Sequence, residues 1–121
     1  MGEGVAPRAD SGQVRSFRET AIVAALRDGT AGDLSGSTHE GLDLSGANLR
    51  GVDLRHVNLR TADLRGAYCK GVDLRGVDLS EAKLEGASFH LARISGAYFP
   101  KNVAAEELMM SLDLGTRIRC R

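Results

Sequence analysis

Between Leu42 and Lys101 the chain repeats every five residues, through twelve consecutive units with no insertion. Cut from Leu42, the units read LDLSG, ANLRG, VDLRH, VNLRT, ADLRG, AYCKG, VDLRG, VDLSE, AKLEG, ASFHL, ARISG and AYFPK. The third position is apolar throughout: Leu44, Leu49, Leu54, Leu59, Leu64, Cys69, Leu74, Leu79, Leu84, Phe89, Ile94 and Phe99. The first position is Ala or Val except at Leu42, the second is Asp or Asn in the first five units, and the fifth is often Gly. A fixed internal period of this kind constrains the fold more than composition does, because each unit must take the same shape and bury its apolar residues against its neighbours.

A period of five matches neither the 3.6 of a helix nor the 2 of a strand. Two apolar residues flanking one polar residue form a three-residue extended piece with both apolar side chains on one side. The remaining two residues must turn the chain, and Gly at the second of them supplies the positive φ of a type II turn. Gly46, Gly51, Gly66, Gly71, Gly76, Gly86 and Gly96 all occupy that place. A chain that bends toward its apolar side after every five residues closes into a coil, and stacked coils share backbone hydrogen bonds at about 4.8 Å spacing.

The pattern A-[DN]-L-x-x, present as Ala47-Asn48-Leu49 and Ala62-Asp63-Leu64 and with Val first at Val52-Asp53-Leu54, Val72-Asp73-Leu74 and Val77-Asp78-Leu79, resembles the pentapeptide-repeat family. The resemblance implies an all-β solenoid, a right-handed quadrilateral β-helix with four units per coil and about three coils. Residues twenty apart then stack, giving inward columns Leu44/Leu64/Leu84, Leu49/Cys69/Phe89, Leu54/Leu74/Ile94 and Leu59/Leu79/Phe99. Small Cys69 beside bulky Phe89 keeps the volume of its column roughly constant. Gly32 to Gly36 is in phase and would add a partial coil, so the solenoid is expected over residues 30–101, with His39 at a central position where the pattern wants an apolar residue.

Open coil ends expose apolar side chains and unpaired edges, so both flanks are read as caps. Residues 13–29 predict an N-terminal helix, with Val14, Phe17, Ala21, Ile22, Ala25 and Leu26 along one side and Gly29 as its stop; residues 1–12 are expected to be disordered. Residues 102–121 are read as a second helix and a basic tail, with Asn102 as N-cap, a helix from Val103 to about Leu114, and Gly115 just past its end. Its apolar residues run most of the way around. Leu108, Met109, Met110 and Leu112 are either consumed in sealing the coil or left over as a dimer contact, as in pentapeptide-repeat relatives whose C-terminal helix joins two subunits. The tail from Thr116 to Arg121 is either a short strand or a loose arm.

The chemistry is sparse. The 16 basic residues balance the 16 acidic ones, which argues against a general nucleic-acid binder and against a strongly acidic mimic of one. With two cysteines, no apolar run of membrane-spanning length and no signal-peptide core at the start, a soluble cytoplasmic protein of bacterial type is expected. His39, His56 and His90 belong to different units and lack metal-ligand spacing. Cys69 is expected to be buried and inert, while the basic tail around Cys120 offers a cause for a lowered thiol pKa. No catalytic residue, cofactor or metal is expected, and the periodic glycines are turn formers rather than a phosphate loop.

The fourth position carries the one functional signal. Arg50, Arg55, Arg60, Arg65, Lys70 and Arg75 form a run of six basic residues around the coil. Residues 42–101 hold nine bases and seven acids, a net of +2. These cations either pair with the adjacent aspartates or form a girdle for an acidic partner, to which the Arg fork is suited. The expected function is a non-catalytic scaffold or adaptor that binds a protein through β-helix faces, with no membrane partner expected and nucleic acid disfavoured. The alternative implied by the resemblance is a DNA mimic that binds DNA gyrase and protects it from quinolones or toxins. The near-neutral charge and the short coil depart from such mimics.

Overall fold

The computed structural model describes residues 21–28 and 41–121, and within them the chain returns on itself every twenty residues. Parallel bridges join Asp43 to Asp63, Asn48 to Tyr68 and Asp53 to Asp73, then one turn further on Asp63 to Lys83, Tyr68 to Ser88 and Asp73 to Arg93. Asp78 pairs with Tyr98 in the same way. Four pentapeptides separate bridged residues, so successive units contribute to four walls. The first carries Asp43, Asp63 and Lys83; the second Asn48, Tyr68 and Ser88; the third Asp53, Asp73 and Arg93; the fourth Asn58, Asp78 and Tyr98. Each wall offers one bridged residue per turn, so the extended pieces form isolated bridges rather than strands of ordinary length.

Backbone bonds hold this register. On the first wall Leu44 N–H donates to the Asp63 carbonyl at 2.8 Å and Asp63 N–H to that of Leu42 at 2.9 Å; one turn up, Leu64 N–H reaches Lys83 at 2.8 Å. Each unit turns into the next through an i to i+3 bond, such as Ala47 N–H to Leu44 C=O at 3.1 Å. All seven periodic glycines adopt positive φ, between 66° and 79°, as the type II turn requires. Leu91 takes the same turn position at φ 61°, alone among the described non-glycine residues. His56, Thr61 and Glu81 occupy that position without positive φ, so those corners turn differently.

The interior is filled by the third and first positions. Leu44, Leu49, Leu54, Leu59, Leu64, Cys69, Leu74, Leu79, Leu84 and Phe89 are essentially inaccessible, with Ala47, Val52, Ala62, Ala67, Val72 and Ala87 beside them. Ile94 and Phe99, placed in the same columns by the spacing, are only partly buried. Phe99 meets Phe89 edge to face, with centroids 6.2 Å apart.

What covers the last turn explains that difference. Helix α1 runs Ala21–Asp28 and helix α2 runs Ala105–Leu114. On the second wall Cys69 N–H donates to the Ser88 carbonyl and Gly71 N–H to that of His90. One turn later Phe89 N–H donates instead to Ser111 Oγ at 2.9 Å, and Leu91 N–H to the Leu112 carbonyl at 3.0 Å. On the first wall Gly86 N–H finds the Ile118 carbonyl at 2.7 Å, and Ile118 N–H finds that of Ala87 at 2.8 Å. Helix α2 and the tail thus stand where a further turn would stand on two walls. Nothing in the described residues takes the equivalent place above Ile94 and Gly96 on the third.

Two expectations for this segment need correction. The helix starts two residues later than expected, and Ala104, not Asn102, holds the N-cap position, with no side-chain cap. The chain is still turning there: Val103 N–H bonds the Pro100 carbonyl, and the Asn102 carbonyl accepts from Arg121 N–H. Gly115, at φ 77°, ends the helix as expected, its N–H on the Ser111 carbonyl. The tail is neither strand nor loose arm. Ile118 is 1% exposed, Arg119 pairs with Glu107 at 2.7 Å, and Cys120 N–H bonds Glu85 Oε1 at 2.8 Å. In α1, Val23 and Leu26 join the core. Residues 1–20 and 29–40 lie outside the described residues, and with them most of the expected first helix, His39 and the Gly32–Gly36 unit.

Candidate partner-binding site

The second position of the unit does more than face outward. Its Asp or Asn accepts a hydrogen bond from the backbone N–H two residues on: Asp43 from Ser45 at 3.2 Å, Asn48 from Arg50 at 3.3 Å, Asp53 from Arg55 at 3.0 Å and Asn58 from Arg60 at 3.2 Å. Asp63, Asp73 and Asp78 do the same for Arg65, Arg75 and Ser80. This side-chain bond mimics a backbone turn and fixes the corner, which is why the second position is Asp or Asn rather than any polar residue.

Where the second position is Asp and the fourth is Arg, the same carboxylate also takes the guanidinium. Asp53 accepts from Arg55 Nε at 3.0 Å and from its terminal nitrogen at 2.8 Å. Asp63 holds Arg65 at 2.9 and 2.6 Å, and Asp73 holds Arg75 at 2.9 and 2.7 Å. Arg55 Nε also lies 3.3 Å from Asp73 Oδ2 on the next turn. These guanidinium and backbone bonds hold Asp53, Asp63 and Asp73 below the usual carboxylate range and raise their arginine partners. Arg60 meets Glu81 at 3.0 Å. Four of the six basic residues picked out by spacing are therefore engaged with carboxylates.

The second wall differs. Its second positions are Asn48, Tyr68 and Ser88, with no carboxylate among them. Asn48 keeps the corner bond to Arg50 N–H without adding a negative charge. Arg50 is exposed, Lys70 half-buried, and neither side chain has an ion-pair partner among the described residues. Gly51 N–H donates to the Lys70 carbonyl at 2.8 Å, so the two cations ride on adjacent rungs. Arg27 reaches the same wall from α1. It donates to the Asn48 carbonyl at 2.6 Å, to Asn48 Oδ1 at 2.9 Å and to the Arg50 carbonyl at 3.1 Å, all uncharged acceptors. Arg27 was not legible as a site residue, since only the packing of α1 brings it to Asn48.

The remaining candidates separate cleanly. In α2, Leu108 and Leu112 turn toward the core, while Met109 and Met110 are exposed, as is Leu114. Glu106 and Asp113 stand among those exposed residues. His90 Nδ1 lies 3.2 Å from the Leu112 carbonyl, and His56 is exposed at its turn. Cys69 is fully buried and its thiol is pushed up to about 12 by desolvation. For Cys120 the lowering suggested by the basic tail is overturned: burial, then the charge of Glu85, raises it. Among the described residues no three His, Cys, Asp or Glu come together as a metal site, and no helix is long and apolar enough to cross a membrane.

A twenty-residue coil whose corners are locked by turn bonds and whose interior is filled with side chains is a solenoid of short repeats. The model of the family described as pentapeptide repeats matches residues 33–66 and 62–99, in eight copies, and the chain belongs to that family, whose fold is a right-handed β-helix. Pentapeptide-repeat proteins are typically non-enzymatic protein-interaction scaffolds. Among solved structures, a pentapeptide repeat protein from the Arabidopsis thaliana thylakoid lumen is 39% identical to this chain over 50% of its length. The match covers 46% of that chain, with a TM-score of 0.27. No curated protein matches the chain.

Proposed function

We propose that this protein is a non-catalytic scaffold of about three four-walled coils, closed by α1 below and by α2 with the tail above, that binds a protein partner on an outer wall. The observation that carries the reading is the division of labour between inside and outside. The third positions fill the core, while each outward side chain is held in a register set by the backbone ladder and the Asp or Asn corner bonds. Such a surface presents side chains without reorganising, which lowers the ordering cost of association. The test is reconstitution: a partner retained by the tagged protein should re-form a stoichiometric complex from purified components. Turnover of a substrate by the purified protein, lost on a single substitution, would sink the scaffold reading.

A gyrase-binding DNA mimic is the competing use of this fold. The observation against it is that Asp53, Asp63 and Asp73 are each neutralised by their own arginine, so no wall presents an uncompensated acidic track among the described residues. We expect no change in gyrase supercoiling at micromolar protein; protection or inhibition at that level would restore the mimic.

A further inference from the structure

We infer that the strip formed by Arg27, Arg50 and Lys70 on the second wall docks an extended acidic segment of a protein partner, an inference that rests on the scaffold reading above. Three cations lie on one wall. Arg27 sits against Asn48 and the Arg50 carbonyl, and Arg50 and Lys70 occupy successive rungs in parallel register. None of the three has a carboxylate partner among the described residues, whereas Arg55, Arg65 and Arg75 are each chelated by the aspartate two residues before them. The difference has a local chemical cause. Asn48 retains the corner bond that Asp would make but brings no charge, and Tyr68 takes the place of an acid one turn up.

The strip runs along the stacking direction, with rungs about 4.8 Å apart, while carboxylates on one side of an extended peptide recur every ~6.6–6.8 Å. Long Arg and Lys side chains span that mismatch, and the Arg fork takes both oxygens of a carboxylate. The neighbouring walls argue for a narrow ligand. Asp43 and Asp63 flank the strip on one side, Asp53 and Asp73 on the other. The aspartates of those walls already hold Arg55, Arg65 and Arg75, so the uncompensated cations are confined to this strip, and strong binding of a duplex's phosphates needs many more. A single acidic strand fits between those walls.

The test is fluorescence anisotropy with the full chain and a labelled peptide of alternating Glu and Ser. Its Gln-for-Ser-spaced-Glu counterpart, in which every Glu is Gln, and an oligonucleotide of equal charge serve as competitors. Arg50→Glu with Lys70→Glu should weaken binding at least about tenfold, as expected for loss of charge-assisted contacts. Arg55→Gln with Arg75→Gln should change it less than about threefold. Thermal melts of both variants show that they are folded. Absence of Glu-peptide binding by the folded wild type, equal weakening by the two double variants, or equal competition by the oligonucleotide would each overturn the strip. A reconstituted partner complex that survives Arg50→Glu with Lys70→Glu would also overturn it while leaving the scaffold standing. Failure of the wild type to form any complex counts against the scaffold, whatever the peptide does.

Discussion

Single residues carry the largest local costs. Leu91 holds the one non-glycine positive φ among the described residues and is 62% exposed, so its side chain gains little from burial. The left-handed region costs a non-glycine residue about 1–2 kcal/mol, against about 0.5–1 kcal/mol of extra chain entropy lost when glycine is ordered. Leu91→Gly should therefore stabilise the fold by roughly 0.5–1 kcal/mol, raising the melting temperature by about 3 °C; a lower melting temperature would show that Leu91 makes a contact outweighing its strain. The opposite extreme is Leu64, inaccessible and central in its column. Leu64→Asp places a carboxylate where no partner is available and should abolish the cooperative transition seen by circular dichroism. A melt close to wild type would contradict the inward columns.

At the level of elements, α2 matters through one buried hydroxyl. Ser111 is inaccessible, and its Oγ accepts from Phe89 N–H, a donor that would otherwise reach the next coil. Ser111→Ala leaves that N–H buried and unsatisfied and should cost about 1–3 kcal/mol in denaturant unfolding. Met109→Ala, on the exposed side of the same helix, should stay within about 0.5 kcal/mol. The corner carboxylates give the walls a pH signature. Asp53, Asp63, Asp73, Asp78 and Glu107 all have lowered pKa values, chiefly from hydrogen bonds to the arginine or serine they hold. With folded values below unfolded ones, the unfolded chain binds more protons in the acid range. The stabilisation is therefore present above the unfolded carboxylate range, near pH 4, and is lost as pH falls through the lower folded values. Urea midpoints should be flat from neutrality to about pH 5 and decline below it. Arg55→Gln with Arg75→Gln should shallow the decline; an unchanged slope would assign acid unfolding to other groups.

For the whole molecule, the open question is association. Met109, Met110 and Leu114 are exposed on α2, but Glu106 and Asp113 stand among them. A ten-residue helix so interrupted offers little of the ~800 Å² per partner that a standard interface buries. We expect a monomer by light scattering at micromolar concentration, with the mass unchanged in Met109→Glu with Met110→Glu. A dimer that this variant dissolves would make α2 an interface, as the family resemblance suggests, and the protein two-ended.

The sequence by itself determined the turn of the chain. Strict five-residue spacing leaves few ways to bury the third position, and the glycines must take positive φ, so the coil and ten of the twelve central core residues were legible without coordinates, while the twenty-residue register followed from the family resemblance. The remaining two, Ile94 and Phe99, are less buried because α2 and the tail stand over the other two walls, through distant partners that spacing does not show: Ser111 with Phe89, Ile118 with Gly86 and Ala87. Charge was legible only as a count. Spacing showed six basic residues in a row, but which of them are neutralised depends on guanidinium geometry at each corner and on Glu81 reaching Arg60. Arg27 joins Arg50 and Lys70 only through the packing of α1. Local periodicity specifies the backbone because every unit repeats the same short-range problem; the surface is decided by contacts between residues far apart in the chain, which only the tertiary structure brings together.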